Sequence, residues 1–158
     1  SSDLVDYYGL KGDWPGLGEA KKRSHAADKA EAVNRATKDA VCRLFPERRA
    51  ERRFIPYVAM HEFEALLFSA PKILASRLQV KPARIADIVA ECGSPEEIDD
   101  SPETAPSKRL IQLSNGFRKT TTGIAVAEEI GLPGIRAQCP LFDEWLTAIE
   151  RLPASDSD

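Results

Sequence analysis

Apolar residues recur along most of this chain at the three-and-four spacing of a helix that buries one face. Between Glu19 and about Leu44, small and apolar side chains fall at Ala26, Ala30, Val33, Thr37, Ala40, Val41 and Leu44, with Lys, Arg and Asp on the other face. Pro46 stops that run. Further helices are predicted for His61 to Ser69, for Lys72 to Leu78 after Ser69 and Pro71, and for Ala83 to Cys92 after Pro82, where Ile85, Ile88, Val89 and Cys92 form one stripe before Gly93. Pro106 to Leu113, Thr122 to Ile130 with Gly131 as its cap, and Leu141 to Leu152 complete the helical set. Two runs read differently. Leu4 to Tyr8 is rich in strand-forming residues and ends at Gly9, and Phe54 to Met60 is a second strand candidate whose Pro56 suits an edge or a strand start. The stretch from Gly9 to Gly18 packs four glycines and one proline into a loop between the first strand and the long helix.

Two strands cannot make a stable sheet by themselves. The chain also opens Ser1-Ser2-Asp3 and runs straight into an apolar segment. Both features lead to the expectation that partner strands lie in sequence outside this chain, that residues 1–152 are one N-terminally incomplete domain, and that residues 153–158 are a disordered tail. The pattern shows no internal repeat.

Composition places the chain among ordinary globular proteins: 158 residues, 42% hydrophobic, 30% charged, with a net charge of −3. The three cysteines, Cys42, Cys92 and Cys139, have no CxxC spacing and no His at zinc-finger distance, so they read as reduced thiols of a cytoplasmic protein. No apolar run approaches the roughly 20 residues that cross a bilayer, so no membrane partner is expected. The modest net charge hides two blocks. Lys21 to Arg53 carries 11 basic and 5 acidic residues, and Asp87 to Glu103 carries 7 acids and no base. They read either as a basic surface for phosphates facing an acidic partner surface, or as solvated faces with no further role.

The densest chemistry is His61-Glu62-Phe63-Glu64, directly after the second strand candidate. On a helix at about 100° per residue, His61 and Glu64 share a face, whereas Glu62 lies about 200° from Glu64. The two carboxylates could then serve one ion only if Glu62 still belongs to the extended segment. The alternative is a helix start at which the acids merely complement the dipole. Asp6, an acid at a strand end, is either a cation ligand or a turn cap. Lys108 with Arg109, and Arg118 with Lys119, could offer cations to a phosphate or simply be surface residues. P-loop, nucleophile-elbow, zincin and dinucleotide motifs are absent from the sequence.

Taken in order, Val5-Asp6-Tyr7-Tyr8-Gly9-Leu10 with Trp14-Pro15-Gly16-Leu17, Arg53-Phe54-Ile55-Pro56-Tyr57, His61 to Phe68, Pro102 to Leu110 and Ile135 to Leu146 resemble a prokaryotic domain-of-unknown-function family, number 4276, related to TOPRIM domains. The resemblance implies an α/β, TOPRIM-like fold: a small parallel sheet, only two strands of it in this chain, and a mostly helical C-terminal portion. It further implies a Mg²⁺-dependent (or Mn²⁺-dependent) nuclease acting on DNA or RNA, and a defence-system effector working with an ATPase partner. In that picture Asp6 and Glu64 hold metal, Glu64, Glu62 and His61 are catalytic, and Lys108 and Lys119 contact phosphate. Two departures follow. The family's opening Glu should precede Ser1, so this chain alone is expected to be inactive, and the DxD position reads Asp6-Tyr7-Tyr8, with one acid missing. The rival expectations are a non-catalytic module that binds a partner ATPase, and a hydrolase of small phosphorylated molecules that uses the same residues.

Overall fold

Among the described residues there are eight α-helices: α1 (Leu17–Ala20), α2 (Ala26–Leu44), α3 (Ala50–Arg53), α4 (Pro71–Leu78), α5 (Pro82–Cys92), α6 (Pro106–Leu113), α7 (Ile124–Gln138) and α8 (Pro140–Glu150). A tight 3₁₀ segment, Phe63–Ser69, precedes α4, and a π turn, Lys119–Gly123, leads into α7. The computed structural model describes residues 7–60, 62–98 and 104–152. No helix in it is long and apolar enough to cross a membrane.

The expected α/β TOPRIM-like parallel sheet is overturned. The described residues form an all-helical fold in which none belongs to a strand. Of the first strand candidate, Tyr7 and Tyr8 lie in a 3₁₀ turn, Tyr7–Gly9, and the rest falls outside the described residues. The second, Phe54 to Met60, forms no strand and has a single bridge residue, Ala59; among the described residues its link is Tyr7 N–H donating to the Ala59 carbonyl at 2.7 Å. The reason lies in the backbone donors. Pro56 has no N–H to give, and the N–H of Val58 is already taken by Asn34 Oδ1 of α2 at 3.1 Å. A side chain thus satisfies the backbone where a neighbouring strand would have done so.

The helices predicted from periodicity appear with small shifts. The run from Glu19 to Leu44 divides into α1 and α2, and Gly131 breaks α7 at a positive φ of 71°, with Pro133 restarting it. Gly16, at φ 79°, sits so close to α2 that a Cβ there would lie 2.5 Å from the Ala32 carbonyl oxygen. That contact presses the glycine-rich loop onto α2, and Trp14 Nε1 donating to Thr37 Oγ1 at 2.9 Å holds it there.

Burial gathers in three clusters. Tyr7, Leu10, Leu17, Ala20, Val33, Val58 and Met60 close the N-terminal part around α2. Leu67, Phe68, Leu74, Ile85, Ile98, Leu110, Phe117 and Val126 form the largest cluster, and Leu66, Ile135 and Cys139 the smallest. Each fully buried Leu, Ile or Phe contributes roughly 1.5–3 kcal/mol. The 3₁₀ segment feeds two of the three clusters, with Glu64 to Phe68 all buried, which makes it the centre of the molecule.

None of the eight helices receives a side-chain cap from its own N-cap residue. In α4, α5, α6 and α8 a proline at the first position removes one amide that would need an acceptor. For α8 the remaining demand is met from a distance: Glu96 Oε2 accepts from Leu141 N–H at 2.9 Å, and Glu96 Oε1 accepts from Phe142 N–H at 3.0 Å. Glu96 is only 7% exposed. Burial raises its pKa above the ordinary carboxylate value; the two amides pull it back, and Glu97 and Glu144 add to the rise. A residue of the acidic block, whose readings were a partner surface or a solvated face, is therefore an internal cap.

Replacing Glu96 by Ala orphans both amides and should lower the unfolding free energy by about 2 kcal/mol in urea melts. Because the folded-state pKa is raised, the stability linked to Glu96 protonation is fully present below the ordinary carboxylate value and is lost as pH rises through the elevated one. Glu96→Gln, which cannot ionise, should flatten that part of the pH profile. Melts unchanged in both variants would show that the cap carries no stability.

Candidate functional site

The 3₁₀ geometry of Phe63–Ser69 changes the placement expected from an α-helical wheel. Glu62 stands just before it in an extended conformation (φ −56°, ψ 152°), and its carbonyl closes the first turn by accepting from Ala65 N–H at 2.9 Å. With Glu62 still extended, both carboxylates reach one ion, and that ion is an ammonium. Lys119 Nζ lies 2.7 Å from Glu64 Oε1 and 3.7 Å from Glu62 Oε1. Lys119 is brought in by the π turn, which begins at that residue; Gly123 at its end packs against Leu67 of the 3₁₀ segment.

The two acids differ in surroundings. Glu62 Oε2 accepts from Ser107 N–H at 2.9 Å, so Glu62 caps α6 as Glu96 caps α8. Glu64 has no such role. Its side chain is 3% exposed, and Oε1 meets the ammonium as an ion pair with no aligned hydrogen bond. The lysine is 59% exposed, so the pair joins a buried charge to a half-solvated one. That arrangement is expensive to desolvate, and packing alone does not require it.

Of the residues singled out from sequence, Glu62, Glu64 and Lys119 therefore meet. Lys108 is exposed on the first turn of α6, one residue beyond the Ser107 amide that Glu62 holds. Asp6 and His61 lie outside the described residues. Among the described residues, no three His, Cys, Asp or Glu side chains converge as a metal-binding group.

A second polar cluster adjoins the first. Glu62 and Glu96 both line a cavity of about 30 Å³, together with Tyr57, Met60, Leu66 and Phe142. That is room for about one water molecule. Tyr57 stacks on Trp145 at 4.6 Å between ring centroids and meets Phe142 edge-on. Burial, with Glu96 close by, drives the Tyr57 hydroxyl far above its ordinary pKa. Cys139 is buried beside Ser69, with Oγ and Sγ 3.3 Å apart, and burial pushes its thiol up to about 11 against a small opposing effect of the Ser69 hydroxyl. Periodicity did not reveal this cluster. The signal present was the helix start Cys139-Pro140, which has no Ser, Thr, Asp or Asn to cap it and so needs an acceptor from elsewhere.

The family model described as Domain of unknown function (DUF4276) matches residues 2–150 of the chain. No curated protein and no solved structure matches it.

The acid–lysine cluster can be tested without any ligand. Lys119→Met leaves the Glu64 carboxylate buried without its cation and should cost about 2 kcal/mol of stability. Glu64→Gln made in that background should recover part of the loss, giving a measurable coupling in a double-mutant cycle. Strictly additive effects would mean that the two side chains do not act as a pair.

Proposed function

The chain belongs to the DUF4276 family, and from the cluster at Glu62, Glu64 and Lys119 we propose that it serves divalent-cation-dependent hydrolysis of phosphodiesters in nucleic acid. The observation that carries this reading is the buried Glu64, whose Oε1 faces a cation without an aligned hydrogen bond. Structural carboxylates at such depth are ordinarily tied to amides, as Glu96 is. An acid retained under desolvation beside a second acid and a lysine is the kind of group that does chemistry.

The donor set suits a hard divalent cation, because Glu64 and Glu62 offer carboxylate oxygens to one positive charge. Glu64 and Glu62 would hold Mg²⁺ or Mn²⁺, and the bound ion would supply Lewis-acid stabilisation of the charge that develops on the phosphate. Lys119 neutralises the acids when no such ion is present. Displaced by the ion, its ammonium would turn to phosphate oxygens, as would that of exposed Lys108, next to the Ser107 amide that Glu62 holds. Glu62 Oε2 remains on the α6 amide and keeps the carboxylate oriented.

One observation favours a second reading. Glu62 already caps α6 and Lys119 already offsets both charges, so the cluster also suits a non-catalytic module in which it is a structural clamp. Calorimetric titration of the chain with Mn²⁺ separates the two. Hydrolysis predicts saturable binding that Glu64→Gln abolishes and that Lys119→Met, which removes the competing ammonium, tightens about tenfold. It also predicts cation-dependent cleavage of nucleic acid that is lost with Glu64→Gln. No binding by either the parent chain or Lys119→Met would overturn the catalytic reading and leave the clamp.

A further inference from the structure

The end of α2 and the turn into α3 expose a combination of residues that core packing does not require. Leu44 is 72% and Phe45 53% exposed, although both are large and apolar. Arg43, Arg48, Arg49, Arg52 and Arg53 surround them and are all exposed. Among the described residues none of the five has an ion-pair partner, although Glu47 and Glu51 lie in the same stretch.

The backbone gathers these groups. Arg49 occupies the left-handed region (φ 51°, ψ 42°), unusual for a residue with a Cβ, and it joins the short turn Pro46–Arg48 to α3. That reversal brings Arg48 from one side and Arg53 from the other to a single surface pocket of about 340 Å³, whose remaining walls include Phe45 and Phe54. Two guanidinium groups and two aromatic rings thus share one concavity.

We propose that this pocket and the arginines around it bind single-stranded nucleic acid, with Phe45 as a stacking platform for an unpaired base. Every cation from Arg43 to Arg53 is an arginine, the side chain whose planar fork takes phosphate oxygens two at a time. Unpaired guanidinium groups are complementary to a polyanion. The exposed ring distinguishes the kind of polyanion, because only an unpaired base presents its face for stacking. The inference extends the proposed hydrolytic reading by naming the surface that holds the polymer, but it stands on residues other than Glu62, Glu64 and Lys119.

Fluorescence anisotropy with a labelled oligothymidylate of about 20 nucleotides, in EDTA at low salt, tests it. Binding should weaken as salt rises, with a log–log slope of about −2 to −3 for three or four phosphate contacts. Arg48→Glu with Arg53→Glu should weaken binding at least tenfold and flatten the slope. Phe45→Ala should weaken it about fivefold and leave the slope unchanged. Arg48→Glu with Arg53→Glu should still bind Mn²⁺ as the parent chain does, so failure of the cation site and failure of this surface are separately visible. Absence of binding at low salt, equal binding of a duplex with no effect of Phe45→Ala, or full competition by polyglutamate at matched charge would each overturn the proposal.

Discussion

Buried amides at helix starts are the constraint around which this molecule is built. A chain of short, proline-opened helices leaves many N–H groups without intrahelical partners, and no helix here is capped by its own N-cap side chain. Two glutamates distant in sequence meet that demand for α6 and α8. Each ties a helix to a segment about 45 residues earlier, since Glu62 bonds Ser107, and Glu96 bonds Leu141 and Phe142. These links act as cross-braces. Glu62 orients α6 against the central 3₁₀ segment, and Glu96 orients α8 against the turn Pro95–Glu97, more sharply than hydrophobic contact does, because a hydrogen bond has direction and dispersion does not.

Glu64 is the acid that this constraint does not explain. It caps nothing, it is nearly inaccessible, and its charge is offset by a lysine that is itself half in water. An apolar residue of similar volume would fill the same space at no desolvation cost. The contrast between Glu62 and Glu64 is informative because both belong to one short segment and face one ammonium, yet only one is needed to complete a helix end. What remains after structural roles are assigned is a buried carboxylate with spare acceptor capacity, beside a lysine that can withdraw to solvent.

Much of the helical plan was legible in the sequence because its signals are local. Pro71, Pro82, Pro106 and Pro140 open helices, and Gly93 and Gly131 end them at positive φ. The two features that failed depend on partners far along the chain. Phe54 to Met60 has the composition of a strand, but a strand exists only if a neighbour supplies the ladder, and here Asn34 supplies one bond instead. The wheel at Glu62 and Glu64 failed for a related reason: it assumed 3.6 residues per turn, whereas the chain enters Phe63–Ser69 from an extended Glu62 and tightens to a 3₁₀ turn. That the acids could meet only if Glu62 stayed extended was readable; the ammonium that joins them comes from a π turn about 55 residues later, and periodicity carries no such information. The role of Glu96 within the acidic block was hidden for the same reason, since the amides that it caps belong to α8, about 45 residues later.

The charge layout then acquires a spatial meaning. The arginine pocket ends at Phe54, and the acid–lysine cluster begins at Glu62, eight residues on. Extended chain advances at most about 3.3–3.6 Å per residue, so these two places lie within roughly 30 Å of each other. That distance falls within the reach of one short stretch of single strand, whose site sizes on binding domains run from about 4 to 16 nucleotides. A net charge of −3 is therefore no argument against a polyanionic partner. At physiological salt the field of a charge fades over roughly 8 Å, so a phosphate bound among the five unpaired arginines between Arg43 and Arg53 would feel those groups rather than the net charge of the whole chain.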